Sequence, residues 1–219
     1  MRRLLPPECG MYASRLPVLS GDLKARMDAY VGHYRAAVMS FGALKLDALY
    51  IGATGPTYAL GEKKDRELAD ALSRDLGAPV VTASIAILDT LATLGAKRIS
   101  VVSPYSKWLT ERALAYLKGA RLDVADLVTM SEEFRAYHLV TGDVIAALRK
   151  VDAQGADAIV LTGTGMRTLD AIAAVSGEFD APIVSSNLCG AWRVLEHLGG
   201  RPGADLARAA PSLAARLPG

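Results

Sequence analysis

Asp47-Ala48-Leu49-Tyr50-Ile51-Gly52-Ala53-Thr54-Gly55 returns later in the chain as Asp157-Ala158-Ile159-Val160-Leu161-Thr162-Gly163-Thr164-Gly165. The first two and last two residues are identical, and the third to fifth are apolar in both copies. A second pair follows in the same order, Ala78-Pro79-Val80-Val81-Thr82 and Ala181-Pro182-Ile183-Val184-Ser185. Behind each comes an apolar helical stretch, Ile85 to Leu94 and Leu188 to Leu198, closing on Gly95 and Gly199. Paired matches in one order and at similar separation point to a duplicated α/β unit.

Working outward, the first unit predicts strands near 11–18, at 47–52 and at 79–82, with helices at 22–42, 61–76 and 84–94. The second predicts strands at 98–103, 122–128, 157–162 and 182–185, with helices at 107–118, 141–153, 167–177 and 187–198. Continuous apolar runs bounded by Gly and Pro fit parallel strands buried on both faces. Their alternation with helices gives right-handed βαβ units. The expected fold is α/β, with two pseudo-symmetric flavodoxin-like lobes of parallel sheet and a ligand cleft between them. Residues 1–95 form the first lobe and 96–182 the second; 183–219 form a C-terminal helix and a loose tail, with one short helix, returning to the first lobe. Strand 98–103 and its helix have no counterpart ahead of the first copy. Either the first lobe has an incomplete sheet or the start is misassigned; the second account is favoured, with residues 1–5 ending a lost helix.

The chain has 219 residues, 51% of them hydrophobic, enough for a sizeable core. With 25 Lys plus Arg against 23 Asp plus Glu, the net charge is +2. So balanced a chain carries no electrostatic footprint for nucleic acid. No apolar run reaches the ~18 residues of a membrane span. The two cysteines, Cys9 and Cys189, have no framework spacing, and the three histidines lack ligand spacing. A reduced, cytoplasmic protein with no metal and no cofactor is expected.

In open parallel sheets, ligands bind beyond the carboxyl ends of the strands. That selects Ala53-Thr54-Gly55, Thr82-Ala83-Ser84, Ser103-Pro104-Tyr105, Gly163-Thr164-Gly165 and Ser185-Ser186-Asn187. Backbone N–H groups at a turn into a helix, with threonine hydroxyls, suit a small carboxylate. Two such turns facing each other suit a dicarboxylate, although Thr-Gly turns also serve simply to cap the helices that follow. The phenol of Tyr105 is aimed at the cleft as a hydrogen-bond donor to a carboxylate or enolate; a rim tyrosine packed on the core is the other account. Asn187 reads as a helix N-cap as well as a ligand contact. Tyr58 is as readily core as site. Cys189, whose repeat counterpart is Ala86, reads as buried. Glu62 to Glu67 reads as a solvated charged face.

The paired strand-end loops resemble those of the aspartate/glutamate racemase superfamily. Ser103-Pro104-Tyr105 resembles the Pro-Tyr turn of maleate isomerases. The stretch 168–172, then 181–186 and Trp192, is similar to arylmalonate decarboxylases. The resemblance runs from about Tyr12 to Gly199. It implies a cofactor-independent decarboxylase or isomerase acting on a small dicarboxylate or arylmalonate-type acid, through an enediolate held by two Thr-Gly loops. It implies substrate contacts at Ala53, Thr54, Gly55, Ser103, Gly163, Thr164, Gly165 and Asn187, with Tyr105 as the catalytic group, and a homodimer. Such enzymes carry a catalytic cysteine in one or both loops. Here those positions are Ala53 and Gly163, so two-base racemisation and cysteine-dependent isomerisation are not expected. The alternative is a non-catalytic protein that binds a small carboxylate on the same fold.

Overall fold

The computed structural model describes residues 1–133 and 135–218. The first part runs α1 (Leu23–Tyr30), α2 (Tyr34–Met39), β1 (Leu49–Ile51), α3 (Gly55–Tyr58), α4 (Gly61–Leu76), β2 (Val80–Thr82) and α5 (Ala83–Leu94). The second runs β3 (Arg98–Ser103), α6 (Lys107–Gly119), β4 (Asp123–Thr129), α7 (Thr141–Leu148), β5 (Ala158–Leu161), α8 (Leu169–Val175), β6 (Ile183–Ser185), α9 (Ser186–Leu198), α10 (Ala204–Ala209) and α11 (Pro211–Ala214).

Every strand pairing is parallel. The second lobe has the order β4-β3-β5-β6, and the first pairs β1 with β2. In the second lobe the chain leaves β3 for the outer β4 and returns to β5 on the other side. The switch point between β3 and β5 therefore opens beside Ser103 and Thr162, where a doubly wound sheet places its ligand. β5 is buried throughout, as helices on both faces require. The two copies of the repeat are built alike. The Leu49 amide donates to the Pro79 carbonyl at 2.8 Å, and the Ile159 amide to Pro182 at 2.9 Å. α5 and α9 both end on glycine in the left-handed region, Gly95 at φ 71° and Gly199 at φ 59°. These two helices pack against each other, and α9 also reaches β1 and β2. One core of Val, Ile, Leu and Ala runs through this contact, and a smaller one holds Tyr34, Val38, Ile51, Leu72 and Val80.

Five expectations are corrected. Residues 11–18 form no strand: Tyr12 is 65% and Val18 90% exposed, with Pro17 breaking the donor row, and only Leu16 leans on the small core. The helix expected at 22–42 is interrupted by a tight turn at Val31–His33, which contains Gly32, and stops at Met39. The helix expected at 141–153 ends at Leu148, because Ser100 Oγ binds the Asp152 carbonyl (2.7 Å) and the Asp126 carboxylate accepts the Asp152 amide (2.9 Å). The tail is not loose. Leu206, Leu213 and Leu217 are buried, and Trp192 Nε1 donates to the Leu213 carbonyl at 3.1 Å; Gly219 lies outside the described residues. The charged run on α4 is not wholly solvated, since Asp65 is fully buried and accepts from the Tyr116 hydroxyl at 2.7 Å. An α-helix turns 100° per residue, so one carboxyl in such a run falls on the inner face.

Candidate functional site

The loops after β1, β3, β5 and β6 converge from both lobes. Thr54 Oγ1 and the Tyr105 hydroxyl share a buried hydrogen bond of 2.5 Å. Thr164 Oγ1 donates to the Gly52 carbonyl at 2.8 Å, and Asn187 Nδ2 donates to the Thr164 carbonyl at 2.9 Å. Lobe meets lobe through these bonds, so the loops touch where an open cleft was expected. Ala53, Thr164, Gly165 and Asn187 are half-buried around the contact, while Thr54, Gly55, Gly163 and Tyr105 lie beneath it.

Gly163 is held at φ +88°. A β-carbon there would stand 2.8 Å from Pro104 Cγ and 3.2 Å from the Tyr105 oxygen. Backbone and neighbours both call for glycine. The phenol thus occupies the space that a side chain at position 163 would enter. Burial lifts the Tyr105 phenol well above its ordinary value, so it stays protonated at neutral pH.

Beneath the pair lies a layer of hydroxyls. Thr57 Oγ1 donates to the Thr54 carbonyl at 3.0 Å and shares a 2.5 Å bond with Ser84 Oγ, which fixes the turn into α3. Ser103 Oγ pairs with Thr110 Oγ1 at 2.7 Å, so this serine holds its own turn and does not face the loops. Asn187 sits in the first turn of α9, whose N-cap is Ser185; its amide tethers Thr164 instead of capping the helix. Cys189 is fully buried and its thiol is pushed up to about 12 by desolvation, which leaves it inert at neutral pH.

Three tyrosines complete the surroundings. Tyr50 donates to the Ser186 carbonyl at 3.0 Å, and its ring fills the place of a side chain at Gly190. The ring of Tyr137, itself 74% exposed, lies on Gly165. Tyr58 is buried beside Thr54 and Tyr105. Sequence reasoning missed Tyr50; the signal was its place two residues before Gly52, on the same side of the strand. It missed Tyr137 because no pattern marks the long connection after β4. Elsewhere, Asp89 on α5 takes both Arg66 of α4 and Arg193 of α9 at 2.9 Å, an ionic tie along a cavity of about 180 Å³ that His197 also lines. Among the described residues, no group of three or more His, Cys, Asp or Glu gathers as a metal set. No helix among them is long and apolar enough to cross a membrane.

The family model described as arylmalonate decarboxylase matches residues 22–208. The chain belongs to the arylmalonate decarboxylase family. Among curated relatives, the maleate isomerase of Geobacillus stearothermophilus is 28% identical over 168 residues, 75% of this chain and 64% of the relative. The arylmalonate decarboxylase of Bordetella bronchiseptica is 28% identical over 168 residues, 68% of this chain and 66% of the relative. The chain spans between about half and two thirds of the length of the curated relatives it matches. A solved Nocardia farcinica maleate cis-trans isomerase, carrying a covalently bound succinylcysteine intermediate, superposes with a TM-score of 0.81 at 20% identity, covering 94% of this chain and 89% of that one. The two-lobed α/β fold is shared.

Proposed function

We propose that this chain is a cofactor-independent enzyme that decarboxylates a small malonate-type acid, with Tyr105 as the proton donor. The observation that carries this reading is the Thr54–Tyr105 hydroxyl pair at the meeting of the two loops, with the phenol against Gly163. One carboxylate of the substrate leaves as carbon dioxide, and its bonding pair passes to the α-carbon. The remaining carboxylate becomes an enediolate, whose charge the loop N–H groups and the Thr54 hydroxyl stabilise. The phenol then gives its proton to the α-carbon, and solvent returns one to the tyrosinate. A buried phenol suits this step because its raised proton affinity keeps the proton in place until a stronger base, the carbanion, forms beside it. For a ligand to enter, the Thr164–Gly52 bond must open.

A second reading, a non-catalytic binder of small carboxylates, is favoured by one specific feature. The strand-end position Gly163 admits no side chain, so no thiol can stand there. Proton NMR in deuterated water with malonate, phenylmalonate and maleate separates the two. Product formation with deuterium on the α-carbon, lost in Tyr105→Phe, supports the enzyme. Saturable line broadening without conversion supports the binder, and conversion undiminished in Tyr105→Phe removes Tyr105 from the chemistry.

A further inference from the structure

Four arginines among the described residues are half-buried, and three of them have carboxylate partners. Arg66 and Arg193 share Asp89, and Arg112 holds Asp28. Arg26, on α1, makes no ion pair among the described residues, and its Nε is buried with no hydrogen-bond partner. The acids nearest to it in sequence are engaged elsewhere. Asp22, one turn earlier, caps α1 by accepting from the Ala25 amide at 2.8 Å, and Asp28 accepts from Arg112. The helix fixes which way Arg26 faces. Leu23, Arg26, Met27 and Tyr30 are half-buried, while Lys24, Ala25, Asp28 and Ala29 are exposed, the spacing of a single inner face. That face lies on the first loop. The Met27 sulfur stands 3.0 Å from where a β-carbon on Gly55 would be, and Leu109, in the first turn of α6, comes within 3.6 Å of the same point. Farther along the face, Tyr30 packs against the small core that contains Ile51 of β1. Burying an N–H without a bond, and half-burying a guanidinium without a counter-charge, both destabilise the fold. Methionine would supply the same apolar stem without that cost. A cation held unpaired against a strand-end loop is completed by an anion.

We propose that Arg26 is the cation of this site, pairing with the carboxylate that the substrate keeps through the reaction. The inference rests on the reading of the loops as a place for a small acid. A guanidinium offers two parallel N–H donors to the two oxygens of one carboxylate. It stays charged throughout, so it serves the resting carboxylate and the enediolate alike. The carboxyl group that departs is not the one Arg26 holds, because pairing stabilises the charged ground state and opposes its conversion to neutral carbon dioxide. Arg26 therefore holds both the acid that enters and the acid that leaves: phenylmalonate, and phenylacetate, which has kept the paired carboxylate.

The test is titration calorimetry of phenylmalonate and phenylacetate with the unsubstituted protein and with Arg26→Met, which keeps the stem and removes the charge. Affinity for both acids is expected to fall about a hundredfold, while Tm holds or rises because an unpaired buried donor has gone. Arg26→Lys, which keeps the charge and loses the fork, is expected to restore part of the affinity. A second measurement needs no loss of charge. In nitrogen NMR, the Arg26 Nε–H signal, identified by its absence from Arg26→Lys, is expected to shift when phenylmalonate is added. Equal affinity in Arg26→Met, with or without a lower Tm, overturns the proposal. An Nε–H signal that phenylmalonate leaves in place overturns it as well, and so does an unsubstituted protein that binds neither acid. The decarboxylase reading fails separately: binding that depends on Arg26, with no turnover by the unsubstituted protein, keeps the cation and removes only the chemistry.

Discussion

Asp65→Asn should make this protein more stable at neutral pH. Asp65 is fully buried on α4, with the Tyr116 hydroxyl on one carboxyl oxygen (2.7 Å) and no bond on the other. Desolvation pushes its carboxyl up to about 6 from the ordinary 3.8. The folded state therefore binds a proton more tightly than the unfolded chain does. Stability falls as pH rises from about 4 to about 6, and stays lower above that. At about 1.4 kcal/mol per pH unit, the gap between the two values amounts to about 3 kcal/mol. Asparagine never ionises, can still accept from Tyr116, and presents its NH₂ group to the neighbouring Thr82 hydroxyl. Urea unfolding followed by circular dichroism at pH 4.5, 6 and 8 should show the variant gaining little at the lowest pH and about 1–3 kcal/mol at the highest. A difference between variant and parent that does not change with pH would refute the assignment of a buried, reluctant carboxylate.

Gly163→Cys, which places a thiol in the second loop, should lower Tm rather than create a nucleophile. The left-handed backbone and the 2.8 Å approach to Pro104 together cost about 1–3 kcal/mol, read by differential scanning calorimetry; an unchanged Tm would show that the turn can relax. Thr164→Val removes the hydroxyl donated to Gly52, at about 1 kcal/mol of stability; if that hydroxyl turns to the ligand carboxylate once the bond opens, binding of phenylmalonate in titration calorimetry is abolished, and unchanged affinity takes this loop out of the site. Cys189, buried with its thiol pushed up to about 12, should resist a thiol reagent at pH 8 in the native state while half-buried Cys9 reacts. Equal labelling of both cysteines without denaturant would contradict the packing of α9.

The six strands present and most helices were legible from their apolar runs, and for β1, β2, β5 and β6 from the repetition of those runs. The same copying identified the loops, since Thr54-Gly55 and Thr164-Gly165 stand at matching strand ends. What could not be read depends on neighbours distant in sequence. Residues 11–18 look like a strand by composition, but a strand needs a partner, and nothing in the local pattern says that none pairs there. The end of α7 is set by Ser100 and Asp126 from another part of the sheet. At the site, Ser103 and Asn187 were expected to face a ligand and are engaged by Thr110 and Thr164. Hydroxyls and amides bond whatever comes within reach, and sequence spacing does not reveal what that is. The inward turn of Asp65 was hidden for the same reason, because its partner Tyr116 lies on the neighbouring lobe's first helix.

The contact between α5 and α9 has a consequence for symmetry. The two helices hold equivalent places in the two copies, with Ala86 matching Cys189, and each buries its apolar face against the other. A protein consisting of one unit would carry that face bare and would cover it with a second identical molecule about a twofold axis. Within one polypeptide the two copies meet at an effective concentration set by the chain itself, so their contact does not depend on protein concentration. Nor need the two halves be identical. With each copy separately encoded, position 53 is alanine and 163 glycine, and the Tyr105 phenol stands on one side alone. Two loops of unlike flanks, a phenol on one side and a bare glycine on the other, are open to a single chain and closed to a symmetric pair.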